Sequence, residues 1–477
     1  MPAQQHRSRY LPLPSKPPNL KEDLETIRRG IGEALLQEVG NIQHAVYGMH
    51  GISRHDTLYT GLSGISFMEY HLAEMNVPLQ GELLSSQSLV SLADKHLARV
   101  LRHKPSFSYS PDRLSFIETN VGVAILILAR GLWTSEEVIR NSWKTSHEYL
   151  IHVVQTALDE DARNDIYSPS NKEDGCEVLY GRAGLLYALL YLRKSFQGKD
   201  EPSVHDLTSD KVLSSLVDSI MTRGKHGGFL LSSEFRTGDF AHLPPLMWTW
   251  HGKRYLGGAH GVAGILHILL CCPGSLIQKH LPDIFGTISW LMEIQDDDGN
   301  WPSKAPTQRG FSSPNDLIQW CHGAPGMIIL LSTALRVLHE QEEKIVVEEG
   351  FTDKIRRSIE SAANLVYKRG LLRKGVGLCH GVAGSVYALL AASSASDGSS
   401  SDRPYLAKAA HLGLLATLRE EMTAKGEMSV PDHPWSLYEG LAGTCCAWAE
   451  ILCRLDSSGS HRALSGFPAY DDLVGLV

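Results

Sequence analysis

Two Cys-His pairs carry the most chemistry in this chain: Trp320-Cys321-His322-Gly323 and Leu378-Cys379-His380-Gly381. Their cysteines are 58 residues apart, too far for a zinc knuckle, yet each pair opens the same short glycine motif. If the motif marks a structural repeat, equal register sets Cys321 and Cys379 side by side. Two thiolates with one adjacent imidazole, from His322 or His380, are a donor set that suits zinc, and three protein ligands leave a fourth place for water or a thiol. That open place marks a catalytic rather than a structural site. A third histidine, His260, holds the same motif position without a cysteine beside it, and an imidazole there is suited to general acid-base work. The plain alternative is buried thiols and helix-capping histidines. It would account for one pair, but two pairs in register argue for a shared ligand.

The elements that must position these side chains are legible as repeats. The motif x-G-x-x-G occurs at Thr60–Gly64, Tyr180–Gly184, His260–Gly264, His322–Gly326, His380–Gly384 and Glu439–Gly443, with a worn copy at Glu118–Gly122. Counted at the second motif position, the spacings are 58, 62, 80, 62, 58 and 59 residues, so one repeat carries an insertion. After each motif comes an apolar stretch such as Leu185–Tyr191 or Ser385–Leu390, apolar nearly all round as a helix buried on every side must be. Between motifs lie amphipathic helical patterns, as in Asp23–Ile42, Glu82–Arg102, Ser135–Leu158, Asp353–Tyr367 and Tyr405–Met422. Seven alternating outer and inner helices with almost no strand pattern predict an all-α fold, an α/α toroid with an inner ring wrapped by an outer one. The paired glycines let the chain turn tightly and let each inner helix start where a Cβ would clash. Residues 1–22 read as an extended arm, 23–455 as a single toroid and 456–477 as a tail with no assigned place. Ser393–Asp402 reads as a flexible surface insertion.

Composition narrows the function classes. The 477 residues carry 45 basic and 53 acidic side chains, a formal charge of −8, which excludes nucleic-acid binding driven by bulk positive charge. A hydrophobic content of 43% supplies a sizeable core. The proline-rich, polar opening argues against a signal peptide, and no apolar run approaches the roughly 18 residues of a membrane span. A cytoplasmic setting follows as the expectation, with the eight cysteines reduced and some available for metal.

The ordered set WCHGAPG (320–326), GLCHGVAG (377–384), LYGRAG (179–184), GGAHGVAG (257–264) and SLYEGLAG (436–443) resembles the lanthionine synthetase C-like family, in its eukaryotic branch, over roughly residues 50–455. The resemblance implies a double seven-helix α/α barrel with Zn2+ held by Cys321, Cys379 and His380. Bacterial members activate a peptide thiol, which adds to dehydroalanine or dehydrobutyrine to form a thioether. Eukaryotic members are associated with glutathione and with dehydroamino-acid-containing proteins. His260 is placed to protonate the enolate that such an addition forms. Lys374, five residues before Cys379, resembles a glutathione-contacting lysine, and Arg9 in Arg9-Tyr10-Leu11-Pro12-Leu13-Pro14 resembles an arginine that reaches the site from the arm. Pro431-Asp432-His433-Pro434-Trp435-Ser436 aligns as well, making Asp432 a substrate-binding candidate, but Ser429 stands where the family has a glutathione-binding arginine. A non-catalytic zinc- and glutathione-binding scaffold is the alternative function. Glycoside hydrolysis on the same shape would need two facing carboxylates, for which only Glu439 and Glu118 are candidates.

Overall fold

Each glycine motif starts a helix. The computed structural model describes residues 8–48, 56–77, 79, 85–103, 105, 107, 113–163, 175–235, 243–307, 310, 315–341, 345, 347–398, 402–456 and 466–473. The chain runs through α1 (Leu24–Gly48), α2 (Leu62–Met75), α3 (Ser86–Arg102), α4 (Asn120–Gly131), α5 (Glu137–Arg163) and α6 (Arg182–Ser195). Next come α7 (Pro202–Leu207), α8 (Asp210–Ser233), α9 (Val262–Leu270), α10 (Gly274–Ile277) and α11 (Leu281–Glu293). The last part holds α12 (Ala324–Glu340), α13 (Phe351–Arg369), α14 (Val382–Ser396), α15 (Pro404–Thr417), α16 (Arg419–Ala424) and α17 (Leu441–Leu455). No β-strand occurs among the described residues, only isolated bridges.

The helices that follow the seven motifs, α2, α4, α6, α9, α12, α14 and α17, form the inner layer. Every residue of α9 is buried, and in α4 the run from Val121 to Ala129 is buried throughout. The outer helix α13 buries one face, packing Ile355, Ile359, Ala362 and Val366 inward at helical spacing, whereas α15 is buried over most of its surface. Besides the five outer helices legible in the sequence, α8 and α11 complete the layer. The long spacing between the third and fourth motifs is taken up by α7 and the segment leading to His260.

Backbone hydrogen bonds between motif loops close the inner ring. Tyr59 N–H donates to Ile117 O (3.1 Å), Leu114 to Tyr180 (2.7 Å), Val178 to Ala259 (3.2 Å) and Gly258 to Trp320 (3.2 Å). The chain of bonds continues from Cys321 to Cys379 (3.3 Å), Cys379 to Tyr438 (2.9 Å) and Tyr438 back to Tyr59 (3.1 Å). Each loop thus donates to the loop of the next repeat, and the last donates to the first. The fold is an all-α toroid. Close approach explains the second motif glycine: a Cβ on Gly64 would lie 2.1 Å from Leu58 O, and on Gly264 2.0 Å from Gly258 O, the carbonyl six residues back in both cases. Where the worn copy lacks its first glycine, Thr119 caps α4 by accepting from Val121 N–H (3.1 Å).

Residues 466–473 are not peripheral. Phe467, Tyr470, Asp472 and Leu473 are all buried, and Phe467 stacks on Trp320 with ring centroids 5.2 Å apart. Asp472 accepts from Tyr187 Oη (2.6 Å), Lys194 Nζ donates to its carbonyl (2.5 Å), and Tyr438 Oη donates to Pro468 O (3.1 Å). The segment 466–473 therefore fills the inside of the inner ring, and the expected tail is, over these residues, part of the core. Its apolar and hydrogen-bonding side chains had no periodicity by which the sequence could assign them. Of the expected arm, residues 1–7 lie outside the described residues; farther along it Tyr10 bridges Leu372, and Leu11 N–H donates to Leu371 O (2.8 Å). The expected insertion begins later than Ser393. Residues 393–396 are helical in α14, Asp397 accepts from the first amides of α15, and residues 399–401 lie outside the described residues.

Candidate metal centre and acid-base pair

Ring closure sets consecutive motif loops against one another, and Cys321 meets Cys379 there. The donor atoms of Cys321, Cys379 and His380 lie within 4.8 Å of one another. Both thiols are buried, at 8% and 3% exposure, while His380 is half-buried. They are free cysteines. The Cys379 thiol is held well above its usual range, first by its hydrogen bond with the Cys321 sulfur and then by burial, while His380 pulls the other way. Tyr59 hydrogen-bonds the same sulfur, and burial followed by the Cys379 and Cys321 sulfurs and Glu439 pushes its phenol far up. As thiolates the two sulfurs would sit in this confined site without a counter-charge, and a dication would supply one. The residues fit zinc. His322 is not in this group: it lies 5.5 Å from the Tyr255 ring, and its buried Nδ1 has no hydrogen-bond partner. Burial, and then the charges of His260 and Lys304, push its pKa down to about 4, so it is neutral at ordinary pH.

His260 is fixed from a different repeat. Its Nδ1 lies 2.9 Å from Glu177 Oε2, and Glu177 is 3% exposed and also accepts from Leu179 N–H (2.8 Å) and Tyr180 N–H (2.5 Å). The carboxylate accepts a hydrogen bond from Nδ1–H, which leaves Nε2 as the nitrogen that can exchange a proton. Trp250 covers the ring face, stacked at 3.7 Å and 4°. A carboxylate-held, aromatic-covered imidazole is an oriented acid or base.

The first motif positions form one circle around the mouth of the inner ring: Thr60, Glu118, Tyr180, His260, His322, His380 and Glu439, all half-buried. Histidines occupy one arc, with Tyr180 next to it on one side and Glu439 on the other. Glu118 accepts from Thr57 Oγ1 (3.2 Å) and has its pKa pushed up to about 7, first by burial, with Glu439 and Glu177 adding to the rise.

Sequence comparison agrees with this arrangement. A family profile described as lanthionine synthetase C-like protein matches residues 53–464. The chain belongs to the lanthionine synthetase C-like family. It is 31% identical over 310 residues to LanC-like protein GCL1 of Arabidopsis thaliana, covering 64% of this chain and 60% of that protein. It is 29% identical over 281 residues to Glutathione S-transferase LANCL1 of Danio rerio, covering 58% of this chain and 59% of that protein. The chain thus spans about 60% of the length of these relatives.

The remaining family-derived candidates converge on one rim. Arg373 N–H donates to Arg9 O (3.0 Å), and Ser429 N–H donates to Arg373 O (2.7 Å), so the arm, the stretch before Cys379 and the stretch before Asp432 run side by side. Arg9, Lys374 and Asp432 are exposed on it. The Arg373 guanidinium donates to Glu427 O (3.0 Å), which adds a cation to this LanC-like rim that the sequence did not single out.

Glu177, Trp250 and Tyr59 are site residues that motif reading missed. Glu177 had a signal, since it alone puts a carboxylate three residues before the first motif position, where the other copies have Thr57, Ser115, Gly257, Gln319, Gly377 and Ser436. Trp250 lies in the inserted stretch between repeats, outside any register.

Proposed function

We propose that this LanC-like protein is a zinc-dependent transferase that adds the thiol of glutathione, or of another small thiol, to dehydroalanine or dehydrobutyrine residues in peptides or proteins. The single observation that carries this reading is the convergence of the Cys321, Cys379 and His380 donor atoms within 4.8 Å at the ring mouth that also holds His260. Zinc held by these three residues lowers the pKa of a coordinated thiol and keeps it nucleophilic near neutral pH. In the overall addition the thiol gives up its S–H proton to solvent, its sulfur bonds to the β-carbon as the C=C π bond is lost, and the α-carbon gains a proton that the donor then recovers from solvent. His260 Nε2 delivers that proton, while Glu177 on Nδ1 stabilises the imidazolium from which it leaves.

Glutathione enters through the zebrafish relative's name and through the chemistry of the rim. Its two carboxylates suit Arg9 and Lys374, and its ammonium suits Asp432. Eight free cysteines without a disulfide support a reducing, cytoplasmic setting. The direct test incubates the zinc-loaded full chain with glutathione and a dehydroalanine peptide and follows peptide mass. A gain of one glutathione above the uncatalysed background, lost in Cys379→Ser and His260→Ala, is expected. Background-level gain with saturable glutathione binding would instead identify the non-catalytic scaffold.

A further inference from the structure

Deeper in the ring, beyond the mouth, a second set of donor atoms converges. His267 and Cys271 are four residues apart at the end of α9, hence on one face, and Asp471 reaches them from the C-terminal segment. His267 Nε2 lies 3.6 Å from Cys271 Sγ and 3.5 Å from Asp471 Oδ1, and all three donors fall within 4.8 Å of one another. Both contacts are made to the same ring nitrogen. A nucleophilic Cys-His-Asp array would put the thiol and the carboxylate on opposite nitrogens, so this geometry is that of ligands around a point. With Zn–S of about 2.3 Å and Zn–N of about 2.0–2.1 Å, a tetrahedral S···N edge is roughly 3.5 Å, close to the separation seen.

The surroundings point the same way. His267 Nδ1 is 3.2 Å from Thr333 Oγ1, an outer partner that can hold a proton on Nδ1. Asp471 Oδ1 is buried and receives no hydrogen bond. The Arg336 guanidinium, which bonds Cys271 and faces Asp471, offsets part of the charge of a thiolate and a carboxylate. A cavity of about 340 Å³ lined by Thr333, Arg336, Phe467 and Asp471 gives an ion a way in.

We infer that His267, Cys271 and Asp471 form a second metal site, for a divalent ion of the zinc class, which ties the C-terminal segment to α9. Binding releases the Cys271 thiol proton and any proton on Asp471. The His267 proton moves to Nδ1, donating to Thr333, and its present contact with Tyr470 O (3.1 Å) is given up.

The site shares no ligand with Cys321, Cys379 and His380, and the inference stands whether or not those residues bind zinc. The test uses cobalt(II) and the full chain, with Cys321 and Cys379 both changed to Ser. One equivalent of cobalt with a thiolate charge-transfer band is expected, the band lost in the added Cys271→Ser variant and the affinity at least tenfold weaker in His267→Ala or Asp471→Asn. Absence of a band, or a band that survives Cys271→Ser, overturns the site. Zinc content of the otherwise wild-type chain guards against misfolding of the multiple variant. There Cys271→Ser must remove one equivalent per chain, and an unchanged content overturns the inference.

Discussion

His260 Nδ1 lies 2.9 Å from Glu177 Oε2, although the two residues belong to different repeats. Orientation of the imidazole therefore depends on the ring as a whole. His260→Ala should retain zinc and lose roughly 10²–10⁴-fold in addition rate. Glu177→Gln should keep zinc and slow addition by about 10-fold or more, because an amide in place of the carboxylate no longer stabilises the imidazolium. Steady-state kinetics with metal analysis checks both, and wild-type rates in either variant would remove the acid-base assignment.

Glu118 supplies a pH dependence of stability. Its ordinary pKa is 4.5, and burial raises it to about 7 in the folded chain. Between these values the folded state keeps a proton that the unfolded chain has released, so this carboxyl's contribution to stability falls as pH rises from 4.5 to about 7 and stays low above. Glu118→Gln removes the loss. Its urea midpoint relative to wild type should be higher at pH 8 than at pH 5, and an equal difference at both pH values would contradict the assignment.

The C-terminal segment should behave as core. Phe467→Ala removes a buried ring stacked on Trp320 and should cost about 3–5 kcal/mol. Asp472→Ala leaves the buried Tyr187 hydroxyl without its acceptor and should cost about 1–3 kcal/mol. Denaturant midpoints measure both, and unshifted midpoints would mean that the segment is not packed inside the ring.

Ser429 bears on the choice of thiol. If the arginine of related proteins pairs with a glutathione carboxylate, Ser429→Arg should tighten binding by one charge-assisted hydrogen bond, about 1.5–3 kcal/mol, or tenfold and more. Calorimetric titration of the zinc-loaded proteins checks this. Weak wild-type binding that the substitution leaves unchanged would point to a different thiol.

The toroid was legible because its repeat is written twice, once in glycines that permit close approach and once in helices apolar on all sides. The approach of Cys321 to Cys379 was legible because register in a repeat becomes adjacency in a ring. Sequence spacing left His322 and His380 equivalent as partners for the cysteines. Side-chain direction separates them, turning His380 to the sulfurs and His322 toward Tyr255. Trp250 and the segment 466–473 gave no such signal, since neither follows the repeat and both earn their places through contacts across it.

The zinc content of purified chains tests the central claim most directly. Relative to wild type, Cys321→Ser, Cys379→Ser and His380→Ala should each lose one equivalent of zinc per chain, and His322→Ala should lose none. Zinc lost from the His322 variant but kept by the His380 variant, or a content indifferent to both cysteines, would contradict the account.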